Sequence, residues 1–337
     1  MIWEDEMKNQ NIPIIDLSDY FKGTKEGKLK VAKEIDKACR EIGFLVITGH
    51  QIDPVFINEV YKVSQDFFDL PEKDKFTVKR EFDDEIRGYS GLEDESLANS
   101  LNEEAPGDLK ESLTIGPINV TDDPYFTCEE AGPHFLPNRW PEKPSNLKKL
   151  WERYFQEMSD LSATLMRIFA LALDLPEDYF DDKIDRHISM FRVLNYPSRK
   201  NEPKEGQLRA GAHSDYGSLT ICRIEDKPGG LQAQNSSGAW VDVPVVENAF
   251  SVNIGDLMMQ WTNDEWISTV HRVINPPREK AEESRRQSLI FFHQPNYDAM
   301  VECFPSCQNE SNPSKYEPIS SGDHLRNKFM KQTTYDQ

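Results

Sequence analysis

Residues 206–224, GQLRAGAHSDYGSLTICRI, form the stretch on which the fold of this chain depends. The segment has the composition of short β-strands separated by a turn, and it opens a region that runs to Pro295. Similar short segments recur from residue 188 to residue 293, with Gly- and Asp-containing turns at intervals of about eight to twelve residues. Such a succession of short strands predicts a β-sandwich or a β-barrel.

A metal site is predicted within this stretch. His213 and Asp215 are two residues apart in a segment with strand character, so their side chains should share one face. His271 would arrive from another strand, which suits a jelly roll, where strands distant in sequence become neighbours. Two imidazoles and one carboxylate hold non-haem Fe(II) on one side and leave positions open for a cosubstrate and dioxygen. A His-x-Asp triplet alone is weak evidence for a metal site, because such triplets occur by chance. The presence of His271 as a third ligand makes the prediction stronger.

A second same-face pair, Arg286 and Ser288, opens the apolar run LIFF. A guanidinium binds a carboxylate through two parallel hydrogen bonds, and a serine hydroxyl adds a third donor. Inside a barrel an unpaired arginine is costly, so Arg286 implies a bound anion or a buried acidic partner. The alternative is a surface cation beside Arg285. With the metal ligands, the pair predicts one pocket for redox-active iron and a small dicarboxylate.

Other polar residues near this pocket are less decisive. Arg192 and Tyr196, on and just after the first barrel strand, are candidates for a second polar anchor, and the alternative is packing plus a surface ion pair. His293 follows Ser288 by an odd number of residues, which places it on the opposite face and behind the site at most. The remaining histidines are assigned to structural roles in turns or at the surface: His50, His134, His187 and His324.

The N-terminal half has a different pattern. Helical periodicity over 26–42 and 145–173 predicts two helices, and a third begins at Asp53. Residues 72–145 are rich in Asp, Glu, Pro and Gly, which predicts long ordered loops. Two pieces of these loops are expected to fold over the pocket, because loops of this length in compact proteins are often functional lids. They are Arg87-Gly88-Tyr89 and Glu111-Ser112-Leu113.

We therefore expect one integrated domain with five segments. They are a flexible N-terminus (1–11), an N-terminal region of helices, loops and substrate lid (12–145), long supporting helices (146–187), a jelly-roll core (188–300) and a C-terminal segment with a helix (301–337).

Composition narrows the functional class. A formal net charge of −20 argues against a broad basic surface for nucleic acid or anionic membrane. No window has the apolar length of a membrane helix, and the first residues, MIWEDE, do not resemble a signal peptide. The five cysteines include no CxxC pair, which fits a reducing compartment. We expect a cytoplasmic enzyme, monomeric or weakly oligomeric, with a small-molecule substrate.

Several motifs resemble the isopenicillin N synthase-like family, which consists largely of Fe(II)- and 2-oxoglutarate-dependent dioxygenases. In the C-terminal half they are HSDYG (213–217), VNIGDL (252–257), STVHRV (268–273) and the RxS signature RQS (286–288). In the N-terminal half they are IPIIDL (12–17), ACREIGFLVITGH (38–50) and FFDLP (67–71). The resemblance covers nearly the whole chain and implies a mainly β fold with flanking helices: a double-stranded β-helix (jelly-roll) core with an N-terminal α/β region packed on it.

The resemblance also implies roles for individual residues. His213, Asp215 and His271 would ligate Fe(II). Arg286 and Ser288 would hold the distal carboxylate of the cosubstrate 2-oxoglutarate, and Tyr196 matches a position that often contacts the cosubstrate or the substrate. The loop with Arg87 and Tyr89 matches the segment that lines the substrate pocket in family members, and Arg192 matches a pocket arginine of the similar ethylene-forming enzyme. His293 is a further substrate-binding candidate, from its place on the strand that carries Ser288. Because Asp215 is present, the halogenase variant of the site, which lacks this carboxylate, is not expected.

The implied reaction is oxidation of a small molecule by dioxygen, by hydroxylation, desaturation or oxidative cyclisation, in specialised metabolism. The 2-oxoglutarate would be decarboxylated to succinate. Two alternatives remain open at this point. Some members with an RxS motif oxidise their substrates without 2-oxoglutarate, and a jelly-roll protein with a vestigial metal site would have no activity.

Overall fold

The structure is a computed structural model that describes residues 11–81, 86–101, 103, 105–198 and 202–333. Residues 1–10 of the expected flexible N-terminus lie outside these ranges.

In the described ranges the chain forms β-strands, which are, in chain order, β1 (Ile14–Asp16), β2 (Phe44–Thr48), β3 (Gly88–Ser90), β4 (Glu111–Ile115), β5 (Met190–Tyr196), β6 (Ala210–His213), β7 (Leu219–Ile224), β8 (Leu231–Gln234), β9 (Trp240–Asp242), β10 (Phe250–Ile254), β11 (His271–Val273), β12 (Arg286–His293), β13 (Met300–Val301) and β14 (Ile319–Ser320).

The α-helices of the same ranges are α1 (Ser18–Phe21), α2 (Lys25–Glu41), α3 (Pro54–Phe68), α4 (Glu72–Lys75), α5 (Pro124–Thr127), α6 (Leu147–Ala172), α7 (Asp181–Ile184), α8 (Asp256–Trp261) and α9 (Ser321–Thr333). Short 3-10 helices cover Phe76–Val78, Leu97–Leu101, Gly132–Phe135, Arg278–Glu283 and Pro305–Cys307. None of the described helices is both long enough and apolar enough to cross a membrane.

Two sheets enclose the interior of the barrel. An eight-stranded sheet has the order β1-β2-β10-β7-β12-β5-β4-β3, and a four-stranded sheet has the order β6-β11-β8-β9. Both sheets line the same cavity, for example through Tyr196 and Cys222 of the large sheet and Leu231 and Val273 of the small one. The predicted jelly-roll core with flanking helices is confirmed.

The N-terminal half extends the large sheet at both edges. β1 pairs in parallel with β2, and β2 pairs antiparallel with β10 of the barrel. At the opposite edge, β3 pairs with β4, and β4 pairs with β5. The N-terminal region is therefore hydrogen-bonded into the barrel sheet in addition to packing on it. The five segment boundaries given above stay predictions.

Helices cover the outer face of the large sheet. Thr24 caps α2 by accepting a hydrogen bond from the Gly27 amide at 3.1 Å, and Pro54 starts α3 after its Asp53 cap. α6 packs against α2 and α3. Their buried faces join the outward-facing residues of the sheet in one large apolar core.

β12 shows how the sheet separates that core from the cavity. Leu289 and Phe291 point into the helix-covered core, while Arg286, Ser288 and Ile290 line the cavity. The side chains alternate because successive residues of a strand face opposite sides of the sheet. The sequence-based expectation that Arg286 and Ser288 share a face is met.

The two loop pieces expected to fold over the pocket do not do so. Gly88–Ser90 is the edge strand β3, and Glu111–Ile115 is β4, which is buried between β3 and β5. Both strands are short and partly polar, and they are stabilised by pairing with residues distant in sequence. Local periodicity therefore does not identify them.

Candidate metal and cosubstrate site

Two neighbouring strands of the small sheet position the histidines. β6 ends at His213, β11 begins at His271, and these two residues are directly paired across the sheet. Their ring centroids are 4.3 Å apart. The His-x-Asp spacing predicted that Asp215 would lie on the same strand as His213. Asp215 instead lies in the turn that follows β6. The turn nevertheless brings its carboxylate to the same point.

The three side chains converge on one small volume. The Asp215 Oδ1 atom lies 3.8 Å from His213 Nε2 and 3.7 Å from His271 Nε2. The potential ligand atoms of the three residues all lie within 4.8 Å of one another. Two imidazole nitrogens and one carboxylate oxygen in this arrangement suit a divalent transition metal.

Hydrogen bonds fix the orientation of each of these side chains. The Nδ1 atom of His213 lies 2.8 Å from the Gly211 carbonyl, and that of His271 lies 3.0 Å from the Thr269 carbonyl. A carbonyl accepts only from N–H, so Nδ1 carries the proton in both rings and Nε2 keeps its lone pair for a metal. Asn253, on β10, donates to Asp215 Oδ2 at 2.8 Å and leaves Oδ1 available.

The protonation states of this cluster suit metal binding. Burial lowers the pKa of His213 to about 3, and the nearby His271 contributes to the shift, so His213 is neutral near pH 7. For Asp215, burial favours the protonated form, but His271, His213 and hydrogen bonds from Asn253 and Thr220 together hold its pKa below 3.8. A neutral imidazole and an ionised carboxylate are the forms that bind a metal.

Gly217 allows the turn after Asp215 to pack closely. A Cβ atom at this position would lie 2.2 Å from the His293 carbonyl oxygen of β12. The turn is also held by the Asp256 amide, which donates to the Asp215 carbonyl at 2.8 Å. The glycine in HSDYG is thus needed for close backbone approach.

The second part of the site is a buried arginine. Arg286 is only 1% exposed. Its Nη1 donates to the Gly229 carbonyl at 2.6 Å, and its Nη2 lies 3.4 Å from Ser288 Oγ. Its Nε has no hydrogen-bond partner, and none of the described carboxylates forms an ion pair with it.

The chemistry of these donors fits a carboxylate. A buried guanidinium without a counter-ion is costly, and an anion would offset that cost. Arg286, Ser288 and the fully buried Tyr196 line the cavity that also contains His213, Asp215 and His271. The cavity therefore combines three side chains that can ligate a metal with a buried arginine whose donors suit a carboxylate.

The cavity has a volume of about 360 Å³. Away from the triad it is bounded by residues 94–99, by Lys110 and Arg192, and by Leu325 and Phe329 of α9. In this wall the partly buried Glu95 contacts several cations. Its carboxylate lies 3.2 Å from Arg80, 3.5 Å from Arg192 and 3.6 Å from Lys110.

Glu95 stays ionised although it is largely withdrawn from solvent. Burial favours the protonated form, but the charges of Arg192, Lys110 and Arg80 lower its pKa to about 2. Arg192 is oriented by a 2.8 Å hydrogen bond from its Nε to Thr114 Oγ1. Arg192 also lines the cavity.

The remaining sequence-based candidates do not reach the cavity. Arg87 is buried outside it and donates to the His134 carbonyl. The hydroxyl of Tyr89 donates to Glu111 at 2.5 Å, in the strand layer behind the cavity. His293 faces away and lies 2.6 Å from Ser218 Oγ. The expectation that Arg87, Tyr89 and His293 touch substrate is therefore corrected: pairing of β3 with β4, and the odd position of His293 on β12, turn them away.

Sequence reasoning missed Asn253 and Glu95. Asn253 is a polar residue in the otherwise apolar strand β10, and this contrast is the signal that could have found it. Glu95 lies in an irregular segment where acidic residues are common, so nothing in the sequence distinguishes it. The histidines assigned to turns or the surface are more buried than expected, and His50, His134 and His324 are at most 6% exposed.

Comparison with known proteins gives a consistent result. Residues 12–143 match the family model described as "non-haem dioxygenase in morphine synthesis N-terminal", and residues 188–295 match the 2OG-Fe(II) oxygenase superfamily. A 2-oxoglutarate-Fe(II) type oxidoreductase from Emericella nidulans is 32% identical over 94% of this chain and 89% of its own length. A homoarginine-6-hydroxylase from Oryza sativa is 33% identical over 95% of this chain and 96% of its own length.

Solved structures agree in fold. A full-length Neurospora crassa protein crystallised in complex with alpha-KG is 33% identical, has a TM-score of 0.83, and covers 96% of this chain and 97% of its own. The alignment spans both halves of the molecule. The chain therefore belongs to the 2OG-Fe(II) oxygenase superfamily and is a non-haem dioxygenase that uses Fe(II), 2-oxoglutarate and dioxygen.

Proposed function

We propose that His213, Asp215 and His271 ligate the Fe(II) of this enzyme, and that Arg286, Ser288 and Tyr196 bind the distal end of 2-oxoglutarate. The observation that carries the assignment is the shared cavity, in which three converging ligand atoms face the same space as a buried arginine with an unpartnered Nε. The converging ligand atoms or the buried arginine could each have a purely structural role. Together they match what the family requires, which is a site for Fe(II) and a site for the distal carboxylate of 2-oxoglutarate.

The bound iron, with 2-oxoglutarate and dioxygen, supplies the oxidising chemistry: one oxygen atom converts 2-oxoglutarate to succinate and carbon dioxide, and the other oxidises the substrate. The chain's own residues prepare this reaction. The Gly211 and Thr269 carbonyls keep the protons of both histidines on Nδ1, so Nε2 faces the metal position. Asn253 holds Asp215 in one orientation. The apolar residues around Arg286 limit the access of water to the cosubstrate end.

For the substrate, we propose a small, polar, nitrogen-containing molecule of specialised metabolism that presents an oxygen acceptor to Arg192. The cavity volume of about 360 Å³ supports a small ligand. Arg192 supports the polar contact because the residue lines the cavity and its guanidinium is oriented by Thr114. Two relatives fit this class: the rice protein is a homoarginine-6-hydroxylase, and the Neurospora crassa protein has been crystallised with thymine.

We further propose that the enzyme acts in the cytoplasm as a monomer or weak oligomer, without binding nucleic acid. The net charge of −20 supports the last point, because it opposes association with a polyanion. The five cysteines are all free, which fits a reducing compartment. Light scattering at increasing protein concentration would test the oligomeric state.

A substrate screen tests the proposal. Purified protein with Fe(II), ascorbate and 2-oxoglutarate would be incubated with amino acids, pyrimidines and related metabolites, and succinate would be measured. We expect substrate-dependent succinate at a 1:1 ratio to oxidised product, and loss of both in an Arg286→Ala variant. A substrate oxidised without succinate would contradict the role given to Arg286 and favour an oxidase that does not use 2-oxoglutarate.

A further inference from the structure

A second buried arginine lies beside the proposed cosubstrate site. Arg209 directly precedes β6 and is 3% exposed. Its Nη1 donates to the Pro228 carbonyl at 2.8 Å, and its Nη2 donates to the Ser284 carbonyl at 2.6 Å and to Ser284 Oγ at 2.9 Å. The side chain does not line the cavity. It therefore does not bind a ligand in the cavity directly.

Arg209 and Arg286 are joined through shared neighbours. The Gly229 carbonyl accepts from Arg286 Nη1 at 2.6 Å and lies 3.5 Å from Arg209 Nη1. The guanidinium carbons of Arg209 and Arg286 lie 5.7 Å and 5.5 Å from the centre of the Tyr196 ring. Moving Arg209 would thus disturb the carbonyl and the ring that position Arg286.

Gly229 shows how tightly this contact is built. Its φ of +81° is a conformation that favours glycine, and a Cβ atom would lie 2.8 Å from Arg209 Nη1. The backbone at residue 229 can therefore approach Arg209 only because it has no side chain. The approach brings the carbonyl that holds Arg286 close to a second positive charge.

The part of the chain that the structure describes offers no carboxylate to balance these two charges. Among the described carboxylates, none forms an ion pair with Arg209 or with Arg286; the acceptors of both are neutral carbonyl and hydroxyl oxygens. Burial lowers the pKa of Arg209 to about 10, and the charge of Arg286 contributes to that shift. Arg209 is therefore charged near pH 7, and the two guanidinium groups together raise the positive potential at this end of the cavity.

We propose that Arg209 determines cosubstrate specificity: its charge and its hold on the 228–229 backbone make the site select 2-oxo acids with an ionised distal carboxylate. The inference rests on the proposed placement of 2-oxoglutarate at Arg286. Arg209 is a positioning residue, because it acts through Gly229, Tyr196 and its electrostatic field. A 2-oxo acid with an uncharged tail gains nothing from that field.

The test is a comparison of two ligands in anaerobic binding titrations of the Fe(II)-loaded protein. 2-Oxoglutarate carries the distal carboxylate, and 2-oxovalerate has a methyl group in its place. In Arg209→Gln we expect the affinity for 2-oxoglutarate to fall about tenfold or more, and that for 2-oxovalerate to change by less than about twofold. Arg209→Lys loses the forked donors but keeps the charge. Because the charge acts on the distal carboxylate, the selectivity ratio, which is the affinity for 2-oxoglutarate divided by that for 2-oxovalerate, should stay within about threefold of the wild type.

Arg87→Gln is the matched control, since it removes a buried arginine that lies outside the cavity. Its selectivity ratio should equal that of the wild type. An equal loss of affinity for both 2-oxo acids in Arg209→Gln, or an unchanged ratio, would overturn the inference. If that variant does not fold, Arg209→Lys decides: a collapsed ratio would contradict the role of the charge.

The outcome for the wild type separates this inference from the proposed function. If the wild type does not bind 2-oxoglutarate with Fe(II), the proposed site fails. If it binds 2-oxoglutarate in preference to 2-oxovalerate and Arg209→Gln has the same preference, only the role of Arg209 fails.

Discussion

The two ends of the cavity are built in different ways. The triad end comprises His213, Asp215, His271, Arg286 and Ser288, and strand pairing or a close turn sets the backbone of each. The loop end comprises residues 94–99, Lys110, Arg192, Leu325 and Phe329. It is connected mainly by side chains, above all by Glu95 and its cations at 3.2–3.6 Å. In the function that we propose, the triad end carries out the reaction and the loop end selects the substrate.

The largest effect should come from breaking the triad end. Asp215→Ala removes one of the three proposed ligands and leaves two histidines that do not suffice for tight binding. We expect iron affinity to fall more than about 100-fold and turnover to be lost. Substituting residues that only hydrogen-bond to metal ligands already lowers metal affinity about 10–100-fold. Isothermal titration with Fe(II) under nitrogen measures this. Asp242→Ala, an exposed carboxylate on β9, is the control, and iron binding by Asp215→Ala at wild-type strength would refute the assignment.

Acid should also weaken the packing around α9, the helix that contributes Leu325 and Phe329 to the loop end. His134 is buried beside Arg87 and α9, and burial, followed by the charges of Arg326 and Arg87, lowers its pKa from 6.5 to about 4. Between about pH 4 and pH 6.5, His134 is protonated in the unfolded chain but not in the folded chain. The contribution of His134 to the free energy of unfolding is therefore fully present above pH 6.5. It is lost as pH falls towards 4, by up to about 3 kcal/mol.

Urea unfolding of the metal-free protein at pH 7 and pH 4.5 measures this loss. His134→Phe removes the titrating group, so its loss of stability over this range should be smaller than that of the wild type by about 2–3 kcal/mol. Hydrogen exchange at pH 4.5 should show faster opening of α9 in the wild type than in His134→Phe. An identical pH dependence in wild type and variant would show that His134 does not contribute.

A moderate effect is expected at the loop end from Arg192→Met. The side chain keeps its length but loses the donors that we propose for the substrate. The KM for the prime substrate should rise about tenfold, corresponding to about 1.4 kcal/mol, while the affinity for 2-oxoglutarate stays the same. Arg153→Met, an exposed arginine on α6, is the control. A change in 2-oxoglutarate affinity instead would place Arg192 at the triad end.

The same division explains what could be predicted from the sequence. The alternation of β12 follows directly from strand geometry, so Arg286 and Ser288 were placed correctly and His293 was placed on the far face. The pairing of His213 with His271 depends on long-range sheet topology and became predictable through the resemblance to a known family. That Asp215 lies just past the end of β6 could not be inferred from spacing.

The loop end could not be predicted in the same way. Glu95 and Leu97 lie in a segment without periodicity, and they reach the cavity through contacts with residues far away in sequence. Arg87 and Tyr89 illustrate the opposite error. Their segment is rich in turn-forming neighbours, but pairing with β4 makes it an edge strand and buries both side chains away from the cavity.

The smallest effect is expected from Phe329→Ala at the loop end. Phe329 lines the cavity and packs edge-on against Tyr216, with ring centroids 5.9 Å apart. Removing the ring should admit water and raise the fraction of 2-oxoglutarate consumed without substrate oxidation about threefold, with iron affinity unchanged. The ratio of succinate to product measures this uncoupling. Met330→Ala, the exposed neighbour, is the control, and equal coupling in both variants would show that Phe329 does not exclude water.

Whether one cavity holds both iron and 2-oxoglutarate is tested most directly by an anaerobic titration of the protein with the two ligands, followed by visible absorption. We predict a charge-transfer band that requires both additions, is absent in Asp215→Ala, and in Arg286→Ala needs at least about tenfold more 2-oxoglutarate to reach half its intensity. A folded wild-type protein without this band, or an Arg286→Ala variant that forms it at the same 2-oxoglutarate concentration, would contradict a single cavity that holds both groups.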